Sequence, residues 1–379
     1  MTQRFLMALS LLALPGAAGA QAADPGYRVG VVSESGDIVT WLKPGAGTLV
    51  EDHVVPVGVM PADVDGPHNL AVAPDQAFYY LSIAHGTPFG NLWKLDARTD
   101  QLLGTAPLEM FPTTIGLTPD GDFAFVANSD FHGDHPRENV ITVVHTPTMQ
   151  TITHLPACDM PHGVKSNHAG TTVYISCMHS DELLEIDVAS LAIRRRAPTG
   201  TGMQHAMPAD QHAMHGATPP AGASAPAPAA PAVDGECAPT FVAVSADDRT
   251  LWAACNHSGT VQFWDAASFT KVAEVPVGAG AYNVEPSPDG KWVIVTNKKA
   301  QSFSLVDVAA RKEVIRVPTT KKIVHGVAWS PDGRYAFISQ ESIGADPGAV
   351  DMFDVAARKV VATVPVRAQP TGIAILRRP

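Results

Sequence analysis

A short turn sequence recurs along the chain, and its spacing constrains what the chain can fold into. Thr-Pro-Asp-Gly or Ser-Pro-Asp-Gly ends at Gly121, Gly290 and Gly333, and the last two glycines are 43 residues apart. Looser matches to the same turn occupy 73–76, 167–170 and 245–248. Each turn lies between two runs in which apolar and polar residues alternate, which is the pattern of a β-hairpin. The chain is therefore predicted to repeat one hairpin-based unit.

Each unit extends beyond the hairpin to four strands. In five units the third strand ends in an aspartate, whose carboxylate can accept hydrogen bonds from the amides of the following turn. These residues are Asp96, Asp187, Asp265, Asp307 and Asp354. A fourth, outer strand follows, as in 359–366. Units of four strands in about 40–45 residues predict the blades of a propeller.

Six complete units are predicted, and a seventh is split between the two ends of the chain. The complete units begin near His68, Thr113, His162, Thr240, Tyr282 and His325. The split unit has three strands within 27–56 and its inner strand within 371–376, and their pairing closes the ring without a free edge at the join. The prediction is an all-β, seven-bladed β-propeller with four antiparallel strands per blade, forming one domain over residues 21–379.

One repeat carries a family resemblance. Ile-Val-Thr-Asn at 294–297, followed by Phe-Ser-Leu-Val-Asp at 303–307, resembles the repeat of the YVTN family of seven-bladed propellers. The resemblance covers nearly all of the chain after residue 20 and implies the same fold. Because this architecture hosts binding proteins, lactonases, lyases and metal oxidoreductases, function has to be argued from individual sites.

Two activities are implied by resemblance to other propellers. Nitrous-oxide reductase is similar at the level of the fold, which implies a histidine-held copper cluster at the hub. This chain shows neither that family's adjacent His-His pair nor its C-terminal copper domain. Streptogramin lyases and lactonases share a similar Pro-His-Gly sequence, present here at 161–163, and use hub residues for elimination or hydrolysis. The acid–base candidates for such chemistry are Asp130 or Glu341 with a hub histidine.

The N-terminus has the form of a secretory signal peptide. Arg4 precedes an apolar run over 5–14, and small residues end in Ala-Gly-Ala at 18–20. We expect a signal peptide at 1–20, export to a periplasm, and no membrane span, because no apolar run reaches the length of about 20 residues that a span needs. Without that segment, 25 basic residues stand against 37 acidic ones, a net charge of −12. This balance argues against nucleic acid as a partner.

One segment interrupts the repeats. Residues 199–236 connect blades 4 and 5, counting the split blade as blade 1, and are rich in Ala, Pro, Gly, Met and His. Such a composition cannot bury enough apolar surface to fold alone, so a solvated linker is one interpretation. Thioether and imidazole are also donors that suit copper. The candidate residues for copper capture are Met203, His205, Met207, His212, Met214 and His215.

Histidines are predicted to gather at one mouth of the central channel. The position that begins each inner strand is histidine at His68, His162 and His325, and threonine or tyrosine in the other blades. A second ring is predicted where second strands end. Its members are His85, Asp130, His179 and His257, with His132 just beyond Asp130. Rigid strand ends that direct imidazoles toward one axis suit a metal site. The alternative is that these side chains only hydrogen-bond neighbouring loops.

The four cysteines are predicted to form two disulfides. Export favours pairing, and the hairpin register brings Cys177 close to Cys158 and Cys255 close to Cys237. Paired strands hold Cα atoms about 4.5–5.5 Å apart, which is within disulfide range. The two bridges would lie on either side of the 199–236 segment. Copper ligation by these cysteines is the alternative.

These features predict a periplasmic, copper-binding propeller that captures or delivers metal. The alternatives are a metal-dependent oxidoreductase or lyase at the channel mouth, and a scaffold that binds a periplasmic protein partner. The sequence has no Cys-x-x-Cys-His for covalent haem, no Gly-x-Ser-x-Gly nucleophile elbow and no glycine-rich phosphate loop.

Overall fold

The computed structural model describes residues 25–58, 65–84, 90–129, 139–200 and 236–378. Within these ranges the chain forms seven antiparallel sheets of four strands each. The inner strands of successive sheets contact one another around a closed ring. The predicted all-β, seven-bladed propeller is therefore confirmed. The predicted signal peptide at 1–20 lies outside the described residues.

The strands follow the chain from the first blade to the last. Blade 1 begins with β1 (Tyr27–Ser33), β2 (Ile38–Pro44) and β3 (Leu49–Pro56). Blades 2 to 4 contain β4 (Pro67–Val72), β5 (Phe78–Ile83), β6 (Asn91–Asp96), β7 (Leu102–Pro107), β8 (Pro112–Leu117), β9 (Phe123–Asn128), β10 (Val140–His145), β11 (Gln150–Pro156), β12 (Pro161–Ser166), β13 (Thr172–Cys177), β14 (Glu182–Asp187) and β15 (Ala192–Pro198).

Blades 5 to 7 contain β16 (Pro239–Val244), β17 (Thr250–Cys255), β18 (Thr260–Asp265), β19 (Thr270–Pro276), β20 (Ala281–Pro286), β21 (Trp292–Asn297), β22 (Ser302–Asp307), β23 (Lys312–Pro318), β24 (Ile323–Trp329), β25 (Tyr335–Glu341), β26 (Gly348–Asp354) and β27 (Lys359–Val366). The last strand, β28 (Pro370–Arg377), pairs antiparallel with β1 and completes blade 1. The ring is thus closed by strands from both ends of the chain, as predicted.

Apolar packing holds the blades side by side. The buried apolar residues in the described ranges fall into seven clusters, one at each interface between neighbouring blades. Between blades 5 and 6, for example, Trp252 and Phe263 pack with Tyr282 and Val295. Both faces of a blade are therefore covered, and second strands such as β9 and β13 are buried along nearly their whole length.

The Pro-Asp-Gly turns hold each hairpin by a repeated set of hydrogen bonds. The Ser287 hydroxyl donates to the Asp289 carboxylate at 2.6 Å and accepts from the Trp292 amide at 3.0 Å. The same two bonds recur in the turns that begin at Thr118, Ser245 and Ser330. The last position of the turn has a positive φ, 69° at Gly290, which explains the preference for glycine there.

A β-bulge at the start of every inner strand directs one side chain toward the channel. The register between the first and second strands shifts there in all seven blades. In blade 4 the bulge frees the Gly163 amide, which donates to the Ser176 hydroxyl at 2.9 Å, and that hydroxyl donates to the Thr240 carbonyl of blade 5 at 2.8 Å. Ser82, Thr296 and Ser339 bridge their neighbouring blades in the same way.

The glycine of the Pro-His-Gly sequence is required by this bridge. A Cβ on Gly163 would lie 2.7 Å from the Phe241 Cα and 2.8 Å from the Thr240 carbonyl oxygen, both in the next blade. The inner strands of blades 4 and 5 therefore lie so close together at Gly163 that a residue with a Cβ would clash there. Within the described ranges, no helix is both long and apolar enough to cross a bilayer.

Gly290→Ala tests the conformational demand of the turn. A Cβ at Gly290 meets no atom within 4 Å, so the substitution changes only the cost of the positive φ. We expect a loss of about 1–2 kcal/mol in the free energy of unfolding, measured by urea denaturation. Lys291→Ala, in the exposed neighbouring position, should change it by less than about 0.5 kcal/mol. Equal losses in the two variants would contradict this account.

The turn aspartates predict sensitivity to acid. Hydrogen bonds from Thr118, Ser245 and Ser287 hold the pKa of Asp120, Asp247 and Asp289 below the usual 3.8. The ionised form is favoured by folding, so the stabilisation is present above pH 3.8 and is lost as the pH falls through the lower pKa values of the folded state.

Urea midpoints measured from neutral pH down to about pH 2 should fall most steeply below this value. Asp289→Asn should flatten the decline, because it removes one of the groups that titrates. An unchanged pH profile in that variant would show that the turn carboxylates do not control the acid response.

Candidate metal-binding hub

The bulged position of the inner strands alternates between small and large side chains around the channel. In ring order from blade 1 the residues are Thr371, His68, Thr113, His162, Thr240, Tyr282 and His325. Each threonine hydroxyl donates to the carbonyl of the next residue in the ring, as Thr371 does to His68 at 2.8 Å. The threonines thus fill the space between blades and leave the channel to the imidazoles and the phenol.

The large side chains meet in one continuous chain of ring contacts. The His68 and His325 rings are 5.7 Å apart between centroids, although a whole blade lies between them. His325 lies 4.8 Å from the Tyr282 ring, and Tyr282 lies 5.4 Å from His162. All four side chains are buried. The structure therefore brings together the three histidines predicted for the first ring.

His162 has both ring nitrogens engaged by the protein. Nδ1 donates to the Thr240 carbonyl at 2.9 Å, and the Tyr282 hydroxyl donates to Nε2 at 3.0 Å. Burial raises the pKa of Tyr282 to about 12, so the phenol stays protonated and remains a donor. A metal could bind His162 only if one of these bonds were broken. His162 therefore fixes the position of Tyr282 in this structure.

His68 is oriented differently, by a carboxylate. Its Nδ1 lies 3.0 Å from Oε2 of Glu34, a residue of the 3₁₀ turn Glu34–Gly36 that follows β1. The Glu34 side chain is 4% exposed, and that of His68 10%. Because a carboxylate accepts the Nδ1 proton, the lone pair of the imidazole is on Nε2. This is the arrangement in which histidine is presented to a metal ion.

An ion pair lies beside His325. Oε1 of Glu341 is 3.4 Å from Nζ of Lys298 and 3.9 Å from Nε2 of His325. The ammonium group lies 4.2 Å above the Tyr282 ring, a cation–π contact. Desolvation is the largest effect and lowers the pKa of Lys298, but the charges of Glu341, Tyr282 and Glu34 and the hydrogen bond to Glu341 together raise the pKa above its usual value. Lys298 is therefore a fixed positive charge in the channel mouth.

We call these seven side chains the hub site: Glu34, His68, His162, Tyr282, Lys298, His325 and Glu341. Sequence reasoning missed Glu34 and Lys298, and considered Glu341 only as an acid–base candidate. All three lie at the end of a second strand. The sequence analysis placed the second ring one residue later in each blade than the position that these three residues occupy. The signal that would have identified them is a charged residue at this earlier position.

The two described members of the predicted second ring are not part of the hub contacts. His179 and His257 lie at the same end of the blades, but each faces a carboxylate on the loop that leads into its own blade. Nδ1 of His179 is 3.7 Å from Oδ1 of Asp159, and Nδ1 of His257 is 3.1 Å from Oε2 of Glu236. The other predicted donors lie outside the described residues; they are His85, Asp130, His132, Met203, His205, Met207, His212, Met214 and His215.

No three His, Cys, Asp or Glu side chains in the described ranges form a group that could hold a metal ion. The hub site supplies two adjacent imidazoles, those of His68 and His325, with a charged rim. Any ion bound there would need a further donor. The metal role of the predicted histidines therefore remains a prediction.

The family profile of YNCE-like β-propellers matches residues 62–332. The chain belongs to the YNCE-like β-propeller family. Solved structures agree with this fold. A functionally unknown protein from Desulfotomaculum acetoxidans has a TM-score of 0.68 at 12% identity, covering 93% of this chain and 100% of its own. Kuenenia stuttgartiensis hydrazine synthase has 0.64 at 20%, covering 84% and 93%. The dihydro-haem d1 dehydrogenase NirN in complex with DHE has 0.59 at 17%, covering 95% and 77%.

Both predicted disulfides are present in this YNCE-like propeller. Cys158 pairs with Cys177 and Cys237 with Cys255, each linking the end of a second strand to the loop before the inner strand. The corresponding end of the second strand in blade 6 is Asn297, whose side-chain oxygen accepts from the Gly278 amide at 3.1 Å.

The link is repeated in blade 7. There the Gln340 side-chain oxygen accepts from the Lys321 amide at 2.9 Å. The disulfides of blades 4 and 5 thus replace a hydrogen bond found elsewhere in the ring, and they do so in the two blades that flank the predicted insertion.

One carboxylate holds both chain segments that border residues 201–235. Oδ1 of Asp181 accepts from the Thr199 hydroxyl at 2.7 Å, and from the amides of Cys237 at 3.1 Å and Ala238 at 2.8 Å. The Thr199 amide donates to the Asp181 carbonyl at 2.8 Å. The two segments therefore lie side by side, independently of the disulfides.

Asp181→Gly should lower the free energy of unfolding by about 1.5–3 kcal/mol, because it removes a charged acceptor of several bonds. Glycine is chosen because Asp181 has a φ of 52°, which alanine would adopt only with strain. Asp181→Asn keeps one acceptor oxygen and should lose less. Urea denaturation of the three proteins provides the comparison, and indistinguishable midpoints would show that the carboxylate does not hold these segments together.

Proposed function

We propose that this protein is an exported copper-binding propeller that captures or delivers the metal, with His68 and His325 as the ligands at the hub. The observation that carries the proposal is the pair of buried imidazoles 5.7 Å apart between ring centroids, one of them oriented by Glu34. That separation is within reach of a single ion bound at about 2.0–2.1 Å to each ring.

The small number of hub donors favours copper over other metals. Imidazole suits copper, and soft thioether donors select its monovalent form, for which fewer ligands suffice. A further donor is available from the sequence, either from His85 or from the Met- and His-rich residues 203–215. His162 is omitted from the proposed ligands because both of its ring nitrogens bond protein groups.

Export is part of the same proposal. Two disulfides persist in an oxidising compartment, and the form of residues 1–20 is that of a signal peptide. Copper is handled outside the cytoplasm without competition from reduced thiols, so a periplasmic propeller with two imidazoles at its mouth suits capture or delivery.

The direct test is metal binding by the purified protein. We expect copper in protein isolated from the periplasm, measured by elemental analysis, and competition with a chromophoric Cu(I) chelator. His68→Ala and His325→Ala should each abolish hub binding, and Glu34→Gln should weaken it about 10–100-fold, because the imidazole loses its orienting carboxylate.

His168→Ala is the matched control. His168 is an exposed histidine at the opposite end of blade 4, where it bonds Asp248, and its loss should leave copper binding unchanged. A variant without residues 201–235 separates the hub from the Met- and His-rich segment, since Asp181 keeps the flanking chain segments together. The proposal is wrong if copper binds no more tightly to the wild type than to the His68→Ala, His325→Ala double variant.

A catalytic alternative is supported by one observation. Glu341 and Lys298 lie beside His325 and supply a carboxylate and an ammonium group at the channel mouth, as acid–base chemistry requires. A metal-dependent oxidoreductase or lyase would lose turnover in Glu341→Gln while retaining copper. A pure carrier would show no turnover to lose.

A further inference from the structure

Three charged side chains of the hub site lie around the two proposed ligands. Glu34 bonds His68, and Glu341 lies 3.9 Å from His325, so each imidazole has one buried carboxylate beside it. Lys298 lies 3.4 Å from Glu341 and is the one Lys or Arg among the seven side chains of the hub site. Glu341 and Glu34 are also the carboxylates whose charges reach Tyr282 and Lys298. With neutral imidazoles, the hub site has a net charge of −1.

The magnitude of that charge determines which ions are favoured. The Coulomb energy between a fixed charge and a bound ion is proportional to the charge of the ion, so Lys298 opposes a divalent ion twice as strongly as a monovalent one. Solvent screens this pair less than a surface pair, because the Glu341 side chain is 1% exposed and that of Lys298 21%. A site of net charge −1 is neutralised by a monovalent cation but acquires excess positive charge with a divalent one.

We propose that Lys298 makes the hub site selective for a monovalent soft cation, Cu(I), over divalent ions such as Zn²⁺ and Cu²⁺. This inference rests on the proposed function, because it assumes that His68 and His325 bind the metal. Lys298 does not touch the ion in this account. Lys298 partly neutralises the charge of Glu341 and thereby sets the net charge of the hub site, which determines the affinity for the ion.

The test changes the net charge in steps and measures two ions in each protein. Cu(I) affinity is measured with a chromophoric chelator and ascorbate, without air, and Zn²⁺ affinity by competition with a zinc indicator. Lys298→Met removes the cation at nearly constant volume and gives a site of net charge −2. We expect the ratio of Zn²⁺ affinity to Cu(I) affinity to rise about 10–100-fold.

Two variants keep the wild-type charge and serve as controls. Lys298→Arg preserves the cation, and the double variant Lys298→Met, Glu341→Gln removes both partners of the ion pair. Both should retain the wild-type ratio within a factor of about three, the scatter expected from changed contacts alone. Glu341→Gln alone gives a net charge of 0 and should lower the ratio.

The outcomes separate this inference from the proposed function. If the wild-type hub binds Cu(I) through His68 but the ratio is the same in Lys298→Met, Lys298→Arg and Glu341→Gln, the selectivity inference is overturned and the proposed function stands. If the wild type binds neither ion through His68, both are overturned. If Lys298→Met does not fold, because it leaves Glu341 as a buried unpaired charge, the double variant and Glu341→Gln still decide the sign of the effect.

Discussion

The hydroxyl bridge between neighbouring blades is the interaction on which the rest of the structure depends. In blades 2, 4, 6 and 7 a bulge at the start of the inner strand frees one amide, and a serine or threonine of the second strand accepts from that amide while donating to the next blade. The bulge also directs the preceding side chain into the channel. The same bulge thus allows the blades to be joined and determines which side chain faces the channel. The residues at the hub can therefore differ from blade to blade while the ring stays unchanged.

Much of the fold could be predicted from the sequence because each blade is specified locally. The hydroxyl of Ser287, the carboxylate of Asp289 and the positive φ of Gly290 define a hairpin within six residues. Their recurrence every 43 residues or so then determines the number of blades. The disulfides could be predicted for the same reason, since strand register alone brings Cys177 beside Cys158.

The hub site could be predicted only in part. His68, His162 and His325 were identifiable by their position in the repeat, but their partners come from other blades. Neither the contact of His68 with His325 across a whole blade nor the capture of both nitrogens of His162 follows from any local pattern. Glu34 and Lys298 were missed, and Glu341 was considered only as an acid–base candidate, because a shift of one residue at the end of a strand exchanges the side chain that faces the channel for its neighbour.

The alternation of threonine with bulky side chains around the hub is affected by the odd number of blades. A ring of seven positions cannot alternate perfectly, so two residues of the same kind must be neighbours somewhere, and here they are the bulky Tyr282 of blade 6 and His325 of blade 7. Lys298 and Glu341 belong to the same two blades. An even-numbered ring could be perfectly regular, whereas the odd number of blades imposes one mismatch. In this molecule the buried ion pair lies at that mismatch, so the broken symmetry gives one sector of the channel a chemistry that the others lack.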